Sequence, residues 1–152
     1  MPAAHLIDTN ILLRLARRDQ PEHGIVRQAM TALAGTDLYY THQNIAEFWN
    51  VATRPVHLNG FGLPLADVDR EVTIIERLLI LLPEDARVYH EWRRLVVAHS
   101  VSGAKVHDAR LVAAMRVHGI THLLTLNTVD FKRYDGIIAV HPSTVQASHE
   151  TE

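Results

Sequence analysis

The stretch His5-Leu6-Ile7-Asp8-Thr9-Asn10-Ile11-Leu12-Leu13 decides how this chain is read. His5-Leu6-Ile7 reads as a short strand that stops at Asp8, and the apolar run from Ile11 starts a helix. An acid at the carboxyl end of a strand, just before a helix, sits where open α/β sheets put their ligand crevices. The same stretch has a plainer meaning, because Asp, Thr and Asn are all good helix N-caps. Position alone leaves Asp8 equally open as a cap and as a metal ligand. Asn10 stands where it could hydrogen-bond Asp8 or a metal-bound water.

Working outward, four more apolar runs read as strands, over 38–41, 80–82, 122–126 and 137–141. Helical patterns fill the gaps over 10–18, 22–33, 43–53, 65–79, 84–100 and 105–118. Arg54-Pro55 closes the third of these, because a residue before proline is pushed out of the helical region. Alternation of strands and helices predicts an α/β fold, a parallel sheet covered on both faces. Two consecutive helices before the fourth strand interrupt that alternation.

The length of 152 residues suits one domain, expected over 1–142, followed by a polar tail over 143–152. An apolar share of 47% excludes a disordered or fibrous chain. Cysteine is absent, which excludes disulfides and thiolate metal sites and fits a reducing cytosol. No apolar run is long enough to span a bilayer, and no basic region leads into a signal-type apolar stretch. A cytoplasmic protein without a membrane partner is the expectation.

The net charge of −2 argues against nucleic-acid binding by charge alone. Any such contact must be local, or must work with a metal that neutralises the chain's own acids. The 11 histidines are scattered and form no HExxH pattern. His118 and His122 are four apart, but Gly119 between them reads as a helix cap beside a C-terminal histidine.

Three further acids lie in settings like that of Asp8. Asp108 shares a helix face with Leu111, Val112 and Met115, where a carboxylate is costly unless paired or coordinated. Periodicity gives Glu47 no such distinction: the apolar face of its helix is Ile45, Phe48, Trp49 and Ala52, and Glu47 projects to solvent. Asp130 follows the fourth strand, where Thr125 and Asn127 add polar groups, and taken alone it reads as a turn or cap acid. Converging carboxylates repel one another and resist full ionisation. A divalent cation removes that conflict, and an all-oxygen donor set suits Mg²⁺ or Mn²⁺. Such an ion supports in-line displacement at phosphorus, so a metal-dependent phosphodiesterase is the natural chemical reading.

The chain resembles PIN-domain ribonucleases of the VapC toxin type over about residues 4–142. The resemblance rests on Ile7-Asp8-Thr9-Asn10-Ile11-Leu12, on Ala46-Glu47-Phe48 with Arg54-Pro55, on Val106-His107-Asp108-Ala109-Arg110-Leu111, and on Leu124-Thr125-Leu126-Asn127-Thr128-Val129-Asp130-Phe131, in that order. It implies a three-layer α/β/α fold with a parallel sheet of about five strands in the order 3-2-1-4-5. It implies that Asp8, Glu47, Asp108 and Asp130 bind one or two Mg²⁺ or Mn²⁺ ions, with Glu47 turned into the cleft. Asn127 occupies a spot where other members carry an acid, and Thr125 resembles the family's hydroxyl residue near the metal. Asp130, Asn127 and Thr125 thus compete for the last corner of the site. The resemblance further implies RNA as substrate, 5′-phosphate and 3′-hydroxyl products, a cognate antitoxin protein and a homodimer.

Arg14, Arg17, Arg18, Lys105, Lys132 and Arg133 are candidate contacts to an RNA backbone because they lie near the acids in sequence; the alternative is a solvated surface charge. A phosphatase with an aspartyl nucleophile needs a second Asp where this chain has Asn10. A response-regulator receiver needs paired acids after the first strand, which are missing. A non-catalytic PIN-like module that binds RNA or protein is the remaining rival.

Overall fold

A computed structural model describes residues 3–145. The chain runs β1 (His5–Ile7), α1 (Thr9–Ala16), α2 (His23–Ala32), β2 (Leu38–Tyr40), α3 (His42–Thr53), α4 (Leu65–Leu78), β3 (Ile80–Leu81), α5 (Ala86–Ala98), α6 (Lys105–His118), β4 (His122–Leu124) and β5 (Ile138–Val140). Short 3₁₀ turns occupy Val56–Leu58, Thr128–Phe131 and Pro142–Thr144. The strands form one sheet in the order β3-β2-β1-β4-β5, and every neighbouring pair is parallel.

Side chains alternate across each strand and divide the core in two. Ile7 and Leu124 face one side, with Ile11, Leu12, Val26, Phe48, Val68 and Val72 of α1 to α4. Leu6 and Leu123 face the other, with Val88, Leu95, Leu111, Val112 and Met115 of α5 and α6. The result is three layers, with β1 in the middle of the sheet. Ile80 and Ile138 of the edge strands are exposed, whereas burial on both faces explains why the central strands β1 and β4 read as apolar runs rather than as alternating ones. Their ends are less legible: β4 stops at Leu124, two residues before the apolar run does. Thr125 and Leu126 turn away from the β1 pairing and serve the site described below. Thr41, expected as strand, instead caps α3, exchanging hydrogen bonds with Asn44 in a capping box.

The two helices that broke the alternation are α5 and α6, which pack against each other. The Trp92 indole N–H donates to the Val106 carbonyl at 2.8 Å and ties the start of α6 to α5. Gly119 ends α6 with φ of 73°, and the Ile120 N–H reaches back to the Met115 carbonyl, as in a Schellman cap. His118 and His122 have separate partners: His118 meets the Pro83 carbonyl and His122 packs on the His5 ring.

The sheet's edges are β3 and β5, only two and three residues long. No helix among the described residues is long and apolar enough to cross a membrane. Of the tail expected from residue 143, Pro142–Thr144 packs against α2 and Val145 against the first core, while residues 146–152 lie outside the described part.

After α3 the chain doubles back on it, with the N–H groups of Phe61, Gly62 and Leu63 bonded to the carbonyls of Val51, Arg54 and Ala52. Gly60 lies so close to Arg54 in this loop that a Cβ would overlap its carbonyl. Gly60→Ala is expected to cost about 1–3 kcal/mol. Gly24→Ala, on the open face of α2, is expected to add about 0.5–1 kcal/mol. Urea denaturation of both variants measures the contrast, and a neutral Gly60→Ala would contradict this packing.

Candidate functional site

The site starts where β1 and β4 end side by side. Ile7 pairs with Leu124, so the next residues, Asp8 and Thr125, leave the sheet together. The Asp8 N–H still donates to the Leu124 carbonyl at 3.0 Å. One Asp8 carboxylate oxygen accepts the Thr9 N–H at 2.7 Å, and the other accepts the Thr125 hydroxyl at 2.8 Å. Asp8 is thus an N-cap of α1, and it is also buried at the head of the crevice. Asn10 braces the pair: its amide donates to the Thr125 hydroxyl at 3.3 Å and to Asp8 at 3.4 Å, and its carbonyl accepts the Leu126 N–H at 3.1 Å. The Thr125 hydroxyl also accepts the Asn127 N–H at 3.0 Å, which fills its bonding capacity. Asn127 contributes this backbone group, and its side chain is exposed.

Glu47 corrects the helical-wheel reading. It is half-buried, and its two oxygens accept from the Thr9 hydroxyl at 2.7 Å and from the Gln43 amide at 3.0 Å. α3 is covered on two sides, so besides its apolar face it buries a polar stripe of Gln43, Asn44 and Glu47 against α1 and α6. The Asn44 amide orients Thr9 at 3.0 Å. The Gln43 amide also donates to the His107 carbonyl at 2.8 Å, linking Glu47 to the start of α6. The Gln43 side-chain oxygen is buried without a partner. Thr9 reads in the sequence only as a possible cap, and Gln43 and Asn44 carry no signal there because a buried polar stripe has the same spacing as a solvated one. The signal that could have found them is Gln43 one turn before Glu47.

Asp108 lies in the first turn of α6, half-buried, while Leu111, Val112 and Met115 on its face are fully buried. Asp130 sits in the Thr128–Phe131 turn, and its carboxylate meets the Lys105 ammonium at 2.7 Å. Asp130, Asn127 and Thr125 therefore do different things: Asp130 pairs with Lys105, Asn127 offers its backbone, and Thr125 serves Asp8.

Neighbouring charges act on Asp8 and Asp108. Asp8 is pushed up to about 6, mainly by burial; the Thr125 and Thr9 bonds oppose the shift, and the charges of Asp108 and Glu47 add to it. Burial also raises Asp108; Lys105 opposes that shift, and Asp130 and Glu47 reinforce it. The donor set is all oxygen and carries excess negative charge, which suits a hard divalent cation. Among the described residues no three His or acid side chains stand at metal-ligating geometry, with Glu47 turned to Thr9 and Gln43 and Asp130 turned to Lys105. Holding an ion among them takes side-chain rotation.

The basic candidates divide. Lys105 is inside the cluster. Arg14 pairs with Glu22 at 2.8 Å, and Arg17 pairs with Asp19 while lying over the Phe61 ring, beyond the far end of α3. Arg18, Lys132 and Arg133 are exposed. Nearness in sequence to an acid thus does not bring Arg14 and Arg17 to it.

Because the folded-state value of Asp8 is raised, its charge opposes folding. That penalty is absent below the unperturbed value of 3.8, grows as pH rises through about 6, and is fully present at neutral pH. It amounts to about 3 kcal/mol at most. Without added metal, Asp8→Asn is therefore expected to match the wild type near pH 4 and to be more stable at pH 7.5, measured by urea denaturation across that range. A stability gap independent of pH would contradict this account of Asp8.

Comparisons with known proteins agree with this architecture. The PIN domain family profile matches residues 5–137. Ribonuclease VapC24 of Mycobacterium tuberculosis is 30% identical over 132 residues, which cover 82% of this chain and 87% of that protein. Among solved structures, VapBC2 from Rickettsia felis, bound to a DNA fragment from its promoter, superposes with a TM-score of 0.68 at 14% identity, covering 91% of this chain and 98% of that one. The sarcin-ricin loop cleaving toxin VapC20 of M. tuberculosis superposes with a TM-score of 0.63 at 16% identity, covering 80% and 87%. With the sheet order, the acids at its carboxyl edge and these matches together, the chain belongs to the PIN domain family.

Proposed function

We propose that this protein is a Mg²⁺- or Mn²⁺-dependent endoribonuclease, the toxin of a type II toxin–antitoxin pair. The observation that carries the reading is the gathering of Asp8, Glu47 and Asp108, with the charges of Asp108 and Glu47 acting on the buried Asp8, at the carboxyl ends of the central strands. Its support from relatives is the ribonuclease name of VapC24, the RNA-cleaving description of VapC20 and the VapBC complex among the structural neighbours.

In this reading Asp8 and Asp108 hold one or two divalent ions, and Glu47 and Asp130 complete the ligand set or orient the attacking water. A bound divalent ion neutralises the acids, lowers the pKa of a bound water and offsets charge at phosphorus. Thr125, Asn10 and the Thr9 N–H fix the Asp8 carboxylate, so its lone pairs stay aimed without reorganisation. Thr9 and Gln43 hold Glu47 beside Asp8 through neutral donors, and its carboxylate would rotate from them to meet an ion. Lys105 has three N–H donors and offers those not given to Asp130 to a substrate phosphate. Water oxygen bonds to phosphorus as the P–O3′ bond breaks; the attacking water gives up a proton to solvent, and the departing 3′ oxygen takes one from solvent. The products are a 5′-phosphate and a 3′-hydroxyl. The protein works in the cytoplasm, assembles as a homodimer and is held inactive by a cognate antitoxin.

Cleavage of single-stranded RNA in Mn²⁺ tests the reading. Asp8→Asn and Asp108→Asn are each expected to lose more than about 100-fold in product formation while keeping a native circular dichroism spectrum. Full activity in either variant would remove that residue from the site. A wild type that binds RNA in Mn²⁺ without cutting it would favour the non-catalytic module instead. Added Mn²⁺ is also expected to raise the wild-type melting temperature more than that of Asp8→Asn, because a ligand stabilises the state that binds it. Equal shifts would count against Asp8 as a ligand.

A further inference from the structure

Beside the acid cluster, between the starts of α5 and α6, lies a cavity of about 540 Å³ with no part in the chemistry above. That volume is typical of small-molecule sites. Tyr89, Trp92, Val88, His107, Arg110 and Glu84 line it. Trp92 is held as a fixed wall by its bond to the Val106 carbonyl. Tyr89 is 51% exposed, its ring 6.2 Å from that of Trp92. Arg110 is anchored by Glu84.

We propose that this cavity is a nucleobase subsite, which takes an unpaired base of an RNA strand next to the scissile phosphate. Three observations favour that occupant. Aromatic rings, a planar guanidinium and an imidazole suit stacking, and the carboxylate and guanidinium can read base edges. The cavity is joined to the acids: His107 lines it, Asp108 is the next residue, and the His107 carbonyl is bonded to the same Gln43 amide that holds Glu47. With a net charge of −2, the chain has little broad attraction for a polyanion. Stacking supplies affinity that charge does not, and it works on any base. The proposal deepens the ribonuclease reading and rests on it for the choice of RNA.

Trp49 and Trp92 are the two tryptophans, so Trp49→Phe leaves Trp92 as the sole reporter. The full chain carrying Trp49→Phe and Asp8→Asn is titrated in Mn²⁺ with heptauridylate and with an abasic ribose-phosphate heptamer. The expected result is quenching of Trp92 by the heptauridylate alone. Tyr89→Ala is expected to weaken that binding roughly tenfold or more, and Tyr89→Phe to restore it. In the cleaving protein Tyr89→Ala is expected to raise KM with little change in kcat. Equal quenching by the abasic chain, or unchanged affinity in Tyr89→Ala, overturns the proposal. So does a Tyr89→Ala variant that turns a dimer into a monomer by light scattering while binding heptauridylate normally, which would assign the face to a second copy. Base-dependent quenching in a protein that cuts no RNA would instead sink the ribonuclease reading and leave the subsite standing; cutting without quenching would do the reverse.

Discussion

The arrangement of the site depends on holding one buried carboxylate, that of Asp8, at the end of the central strand. Burying an unpaired charge is prohibitive, and burying a hydrogen-bonded one is only expensive. The fold meets the need with a hydroxyl from β4's end, a backbone N–H from α1 and an amide from Asn10. That requirement places β4 beside β1, because only a parallel neighbour ending at the same level delivers Thr125 there. It also makes the first turn of α1 both a capped helix start and a wall of the crevice.

The other acids are accommodated by two different means. Glu47 receives only neutral donors, which hold it still and leave its charge uncancelled. Asp130 receives Lys105, a flexible and half-exposed cation that cancels charge but fixes little. One side of the crevice is therefore rigid and electrostatically unfinished, and the other is neutralised and adaptable. The negative excess sits on the rigid side, where position counts for most.

Much of this was legible in the sequence, residue by residue. α6 runs over 105–118 as its periodicity predicts, and Asp108 stands out because it interrupts an apolar face. The place of Asp8 is legible, at the end of a strand before a helix, and the structure makes it the cap that its position equally allowed. The sheet order came from the resemblance, since alternation alone does not say which strand is central. Glu47 was illegible to the helical wheel, which assumes one buried face, whereas α3 has a second made of Gln43, Asn44 and Glu47. Arg14 and Arg17 misled for a related reason: a helix carries residues away from its start by 1.5 Å each, so neighbours in sequence separate in space. The end of β4 could not be read because Leu126 continues the apolar pattern after the backbone has left its pairing with β1.

The shortness of the outer strands has a consequence for assembly. β3 offers two residues of open edge and β5 three, and each is followed two positions later by a proline, Pro83 and Pro142. So brief a row of free N–H and C=O groups gives an incoming strand too little to grip, and proline ends the row. Side-by-side growth of sheets into fibres is blocked at both margins. Association of this fold then falls to its helical layers, whose contacts depend on side-chain shape and can be specific to one partner.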